Sequence, residues 1–243
     1  MKIKTLITGA GRGIGQAIAE KFAEKGHDLY LLIRKKKEIK KLKILEKKYN
    51  IKIKIFVGDL RNLKFISAVG KKIPYIDNLI NNAAMANTKF FTKVKLNELD
   101  DLLQVNLKAI FLLSQIFSKK MIQKKIKGNI ISLSSQLGHV GAYNRSLYAM
   151  TKFGLEGLNK VLALDLGSYG IRTVTVSPTK TIVNQSELTK TPKRLKIIKN
   201  KTALKKFSTT EEIASIVYFL TQKEANSITG TSIISDGGWT AGK

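Results

Sequence analysis

The sequence predicts an α/β fold, a doubly wound parallel sheet of seven strands with helices on both faces. Three observations carry that expectation. Short apolar runs alternate with longer segments of helical periodicity along all 243 residues, the pattern of repeated strand–helix–strand units. Most of these runs are almost continuous in Ile, Leu or Val, as strands covered on both faces must be. A glycine-rich turn joins the first apolar run to the first helical segment.

Taken in order, "KIKTLIT" is the first expected strand, and it leads through that turn into a helix over 13–25. "DLYLLIR" follows, then a helix over 36–48 whose Ile39, Leu42 and Leu45 recur at helical spacing beneath a face of lysines. "IKIKIFVG", a helix over 62–70, and "IDNLINN" come next, before a long helix over 98–125. "GNIISLSS" precedes a helix over 147–167, and "IRTVTVSP" is the sixth strand. The segment 184–206 is the least strand-like and reads as a mobile helical lid, after which a helix over 210–221 leads to "TSIISDGG". With three prolines and no linker, repeat or low-complexity tract, a single domain spanning 1–243 is expected.

Composition narrows the chemistry. There is no cysteine, so disulfide, thiolate and cysteine-metal chemistry are excluded, and two histidines make no basis for a metal site. No apolar run suggests a leader or a membrane span, and a cytoplasmic location is expected. The net charge of +27 raises the question of nucleic acid. Arginine stands at only six positions, however, and the lysine-rich 35–49 stretch keeps helical periodicity. No specific nucleic-acid partner is therefore expected, since phosphate and base recognition lean on arginine.

Two clusters carry chemistry. In "LITGAGRGIG", Gly9, Gly13 and Gly15 sit where a strand passes into a helix. Without side chains they let backbone amides approach a diphosphate, which the positive helix end favours. The second strand ends in Ile33 and Arg34 rather than in a carboxylate, and Arg12 stands in the glycine turn. Two guanidiniums suit a 2′-phosphate, so NADP(H) is the preferred cofactor, with NAD(H) as the alternative. In "SLYAMTKFG", Tyr148 and Lys152 are one helical turn apart. A phenol beside a cation is expected to have its pKa lowered and to act as an acid–base group.

The chain resembles the single-domain branch of the short-chain dehydrogenase/reductase family, whose fold is a Rossmann domain. The resemblance rests on T-G-x-x-x-G-I-G from Thr8 to Gly15, Asp59 in "VGDL", and "NNAA" at 81–84. It continues through Asn106 in "LQVNLKAIF", "SLSS" ending at Ser135, Y-x-x-x-K at 148–152, and "SDGGWTAG" near the end. It implies an NAD(P)-dependent interconversion of a ketone and a secondary alcohol by hydride transfer. Tyr148 would be the proton donor, and Ser135 would bond the substrate oxygen. Lys152 would bind the nicotinamide ribose, and Asn106 would hold a water in a proton relay. Gly9, Gly11, Arg12, Gly13, Ile14, Gly15 and Arg34 would line the cofactor with Asp59 and Leu60, Asp59 accepting from the adenine amino group. Asn82, Ala83 and Ala84 would pass beside the adenosine ribose.

After the sixth strand the family often has Pro-Gly and a threonine that bonds the nicotinamide carboxamide. Here Pro178 is followed by Thr179, and Val183 stands at that threonine's place. Thr181 or the Ile182 backbone would then hold the carboxamide. This variant looks like that of polyol and ketose reductases, so a small polar ketone, ketose or keto acid is the first substrate class. Gln136, His139 and Arg145 are the candidates to face it. The alternative is 3-oxoacyl-(acyl-carrier-protein) reduction, with an acyl-carrier protein as partner; a dinucleotide sensor or scaffold is the non-enzymatic one. A homotetramer, built through the long helices before and after the fifth strand and the C-terminal strand region, is implied by resemblance.

Overall fold

The computed structural model describes residues 2–182 and 192–242. Its sheet has seven parallel strands: β1 (Lys4–Thr8), β2 (Asp28–Ile33), β3 (Ile53–Val57), β4 (Asn78–Asn81), β5 (Asn129–Leu133), β6 (Arg172–Pro178) and, last in the chain, β9 (Ser232–Ser235). They lie in the order β3-β2-β1-β4-β5-β6-β9. All seven expected strands form. The order reverses direction between β1 and β4, so a crevice opens there at the carboxyl ends of the strands.

Helices α1 (Gly13–Glu24), α2 (Ile39–Lys48) and α8 (Thr210–Phe219) cover one face, in a core built on Ile18, Phe22, Leu31, Leu42, Ile213 and Val217. The other face carries α3 (Leu63–Lys72), α5 (Ala109–Gln123) and α6 (Ser146–Gly167), packed through Ile66, Val69, Leu113, Phe117 and Leu166. Strands buried between two helical layers explain the unbroken apolar runs.

Two features differ from the sequence reading. The helix expected over 98–125 is two helices, α4 (Leu96–Leu103) and α5, joined by a π-helical turn at Gln104–Lys108. Asn106 lies inside that turn and is fully buried, with its amide bonded to Met85. An inserted residue of this kind turns one side chain inward without ending the helix. A pair of two-residue strands, β7 (Thr181–Ile182) and β8 (Ser208–Thr209), forms a small second sheet beside the main one. Within the expected lid, α7 (Pro192–Lys201) is helical, while 184–191 lies outside the described residues.

His27 is a structural group rather than a ligand. It is buried against the edges of Phe22 and Tyr218, with Nδ1 2.9 Å from the Thr5 hydroxyl. Burial lowers its pKa from 6.5 to about 4. The unfolded chain therefore takes a proton there near pH 6.5 that the folded chain refuses until about 4. Stability should fall as pH drops through that window, by roughly 3 kcal/mol. Denaturant unfolding of wild type and His27→Gln between pH 7 and 4 checks this, the variant having the shallower dependence.

Candidate active site

The glycine turn is held from beneath by the end of β4. The Asn82 side-chain amide donates to the Thr8 carbonyl at 2.9 Å and the Gly9 carbonyl at 3.3 Å. The backbone N–H groups of Asn82 and Ala83 donate to the Thr8 hydroxyl at 2.9 and 3.0 Å. Gly9 and Gly13 have φ of +67° and +56°, the region where a side chain is strained. Gly15 is needed for a different reason, because a Cβ there would collide with the Gly9 carbonyl and the Asn82 amide. The first turn of α1 has no side-chain cap and no acidic residue. Its amides are thus available to an anion, with the helix dipole behind them. These features fit a dinucleotide diphosphate.

A cavity of about 760 Å³ runs from this turn along the ends of β2 and β3. Gly9, Gly11, Arg12 and Arg34 line it on one side, and Asp59, Leu60, Asn82, Ala83 and Ala84 on the other. Lys35, Lys37 and Lys41 add to its positive charge. The sequence reading missed Glu38, whose carboxylate rests against Gly11 where a Cβ would stand. Nothing in the local sequence pattern marks it, since the contact depends on how the chain turns into α2. Asp59 is held by Arg61, which reaches it from both the backbone N–H at 2.9 Å and the guanidinium at 2.9 Å. That pairing keeps the Asp59 pKa below the usual carboxylate range.

The groove continues past Asn82 and Ala84 into a second cavity of about 950 Å³. Ile14, Ser135, Tyr148, Lys152, Pro178, Thr179 and Thr181 line it, so β5, β6 and α6 bring together residues far apart in sequence. The Ser135 hydroxyl stands near enough to the Tyr148 phenol to lower its pKa, and it accepts from the Leu137 N–H at 3.2 Å. The Lys152 ammonium, 1% exposed, donates to the Leu133 carbonyl at 2.6 Å and lies 5.5 Å from the centre of the Tyr148 ring. Burial lowers its pKa to about 8.

The expected effect of Lys152 on Tyr148 is corrected here. The phenol's pKa is raised, because burial disfavours the phenolate more than its neighbours support it. The neighbours that act in the opposite sense are the Ser135 hydrogen bond and the Arg145 charge. Asn106 is also more occupied than expected. Its Oδ1 accepts from the Met85 N–H at 2.8 Å, and its Nδ2 donates to the Met85 carbonyl at 2.8 Å and the Thr151 hydroxyl at 3.1 Å.

The substrate candidates divide. Gln136 lines the cavity, is buried, and has an Oε1 with no hydrogen-bond partner. Arg145 lines it as well, with Nη1 donating to the Asn87 carbonyl at 2.8 Å. His139 is not among the lining residues; its Nε2 turns away to Ser177, 3.0 Å distant. The turn after Ser135 folds back onto β6, which carries the imidazole under the floor. Thr181 spends its hydroxyl on the Thr179 carbonyl at 3.3 Å, and Ile182 lines neither cavity. Thr179 instead has a buried hydroxyl without a partner. From α7, Ile197, Ile198 and Lys201 reach the cavity wall, so part of the expected lid does border the site.

A dinucleotide groove opening onto a Ser–Tyr–Lys set defines a nicotinamide-dependent oxidoreductase. A family model described as enoyl-(acyl carrier protein) reductase matches residues 9–240. Human L-xylulose reductase is 30% identical over 239 residues, covering 98% of this chain and 96% of that protein. A 3-oxoacyl-(acyl-carrier-protein) reductase from Buchnera aphidicola is 33% identical over 236 residues, covering 96% and 95%. Among solved structures, a protein from Beutenbergia cavernae described as an NAD(P)-dependent gluconate 5-dehydrogenase, with bound NADP, superposes with a TM-score of 0.92. It is 27% identical, over 98% of this chain and 97% of that one. The chain belongs to the short-chain dehydrogenase/reductase family. It is an NAD(P)-dependent enzyme acting between ketone and secondary alcohol.

Because the crowding at Gly15 involves backbone as well as a side-chain amide, Gly15→Ala should displace the turn. NADPH affinity, followed by fluorescence titration, is expected to fall at least about tenfold, the equivalent of ~1.4 kcal/mol. Gly167→Ala, where a Cβ meets nothing within 4 Å, is the control expected to bind as wild type does.

Proposed function

We propose that the chain uses NADP(H) to reduce a small polar ketone, a ketose or keto acid, at the 950 Å³ cavity. The observation that carries this is the half-buried Tyr148 phenol, beside Ser135 on the wall of a cavity that shares Asn82 and Ala84 with the dinucleotide groove. The bound cofactor supplies hydride to the carbonyl carbon. Ser135 donates to the carbonyl oxygen, and Tyr148 delivers the proton that oxygen needs. A phenol is protonated at neutral pH and so can deliver that proton. Lys152 donates one N–H to the Leu133 carbonyl and has two more N–H groups that would bond ribose hydroxyls. Asn106 acts by holding the π turn against Met85.

Substrate polarity is supported by the polar side chains of Gln136, Arg145 and Thr179 among the lining residues. The Buchnera relative favours acyl-carrier-protein substrates as a second reading. NADP(H) over NAD(H) rests on Arg12 and Arg34, reinforced by three lysines against the two carboxylates Glu38 and Asp59. The chain is proposed to work in the cytoplasm as one dinucleotide-binding and catalytic unit, assembled as a homotetramer. Met150, Phe153, Val161 and Leu164 support the assembly, because they form an exposed apolar stripe at helical spacing along α6, with Phe111 exposed on α5.

NADPH oxidation against ketoses, keto acids and acetoacetyl thioesters tests the reading. Turnover of a polar ketone is expected, and Tyr148→Phe should lower kcat/KM by about 10²–10⁴-fold while NADPH affinity stays within about threefold. Turnover confined to the thioesters would select the second reading. Arg34→Ala should raise KM for NADPH by about tenfold, as expected for a lost charge-assisted phosphate contact, and leave that for NADH nearly unchanged.

A further inference from the structure

Beneath the cavity floor lies a polar cluster that the reaction described above does not use. Glu156 follows Lys152 by one turn of α6, as Lys152 follows Tyr148, so the three share one face. Its Oε2 accepts from the Thr175 hydroxyl at 2.7 Å and its Oε1 from the Ser177 hydroxyl at 3.1 Å, both on β6. His139 Nε2 lies 3.4 Å from the same Oε1, and also 3.2 Å from the Ser232 hydroxyl on β9. The Glu156 side chain is only 12% exposed.

The cluster joins the two halves of the catalytic set. His139 belongs to the turn that begins at Ser135, and Glu156 to the helix that carries Tyr148 and Lys152. The turn and helix lie close, because a Cβ on Gly138 would press on the Glu156 side chain and the Lys152 carbonyl. Among the described residues, no lysine or arginine pairs with Glu156 directly; hydroxyls and an imidazole hold it. Lys152, one turn away, is likewise held by a neutral carbonyl. A buried ammonium with only a neutral hydrogen-bond partner is supported in its charged form by a carboxylate one turn away across a low-dielectric interior.

We propose that Glu156, oriented by Thr175, Ser177 and His139, is a positioning residue that keeps Lys152 in its charged form. The assignment rests on the oxidoreductase reading above. Its electrostatic part agrees with the opposing influences on Lys152, burial lowering its pKa and the Glu156 charge raising it. The charged and titratable groups around Lys152 are Tyr148 and Glu156 on its own helix, Arg145 at that helix's start, and His139 from the Ser135 turn. Lys180 and Lys201 border the same cavity from beyond β6 and from α7.

The sign of the effect follows. Removing the Glu156 charge lets burial lower the Lys152 pKa further, so the ammonium is lost at a lower pH. Activity that needs the ammonium is present below that pKa and disappears as pH rises through it. The test is kcat/KM against pH from 6 to 10 for the ketone that wild type reduces, with melting temperature and NADPH affinity measured alongside. Glu156→Gln is expected to move the alkaline limb down by about one unit, a size ordinary for the loss of one nearby opposite charge. Glu156→Asp, which keeps the charge, should hold the limb in place even where the rate falls. It also carries the test should E156Q fail to fold. A limb unmoved in E156Q, with the rate lowered equally at all pH, would overturn the proposal and leave a packing role. So would a limb displaced as far in E156D. Wild type that reduces no ketone would instead overturn the oxidoreductase reading, and this inference with it.

Discussion

A single buried cation organises the catalytic end of this protein. The Lys152 ammonium has almost no access to water and is anchored to the Leu133 carbonyl at the end of β5. Burying a charge is costly unless its surroundings are arranged to receive it, and the neighbouring structure can be read as that arrangement. The β5 carbonyl accepts one of its N–H groups, and the Glu156 cluster supplies negative charge from one turn below. On the other side, hydrogen bonds run from Met85 through Asn106 and Thr151 to the Tyr148 carbonyl. Helix α6 is thereby fixed against both the sheet and the π turn, and with it the position of the phenol.

The cofactor groove depends on a second constraint, the absence of side chains at the β1–α1 turn. Asn82 reaches across from β4 to hold the carbonyls of Thr8 and Gly9, which is where the strand order reverses. The turn thus shapes a groove that the sheet topology had already placed. Arg12, Arg34 and three lysines give this end of the groove a local excess of positive charge. A dinucleotide approaching this end meets cations first and the uncapped helix amides next.

Strands and motifs were legible because they depend on local patterns: apolar runs, glycines in a turn, a tyrosine and lysine one helical turn apart. Features decided by long-range contacts were not. The π turn at 104–108 exists because Asn106 finds Met85, twenty-one residues earlier, and helical periodicity carries no trace of that. His139 lay in the right loop for a substrate contact, yet the turn after Ser135 rolls it toward β6. The pKa of Tyr148 went the opposite way from the sequence expectation because proximity to a cation was visible in the spacing and burial was not. The β7–β8 pair is too short to leave a strand signature at all.

The central claim is that the Tyr148 phenol and the groove beside it serve hydride transfer to a ketone. The most direct measurement supplies NADPH deuterated at the transferring position, together with ketoses, keto acids and acetoacetyl thioesters, and analyses the products by mass spectrometry. The account predicts one deuterium on the new carbinol carbon of at least one product, with none formed by Tyr148→Phe in the same time. NADPH that binds tightly while no deuterated alcohol appears from any of these ketones would contradict it.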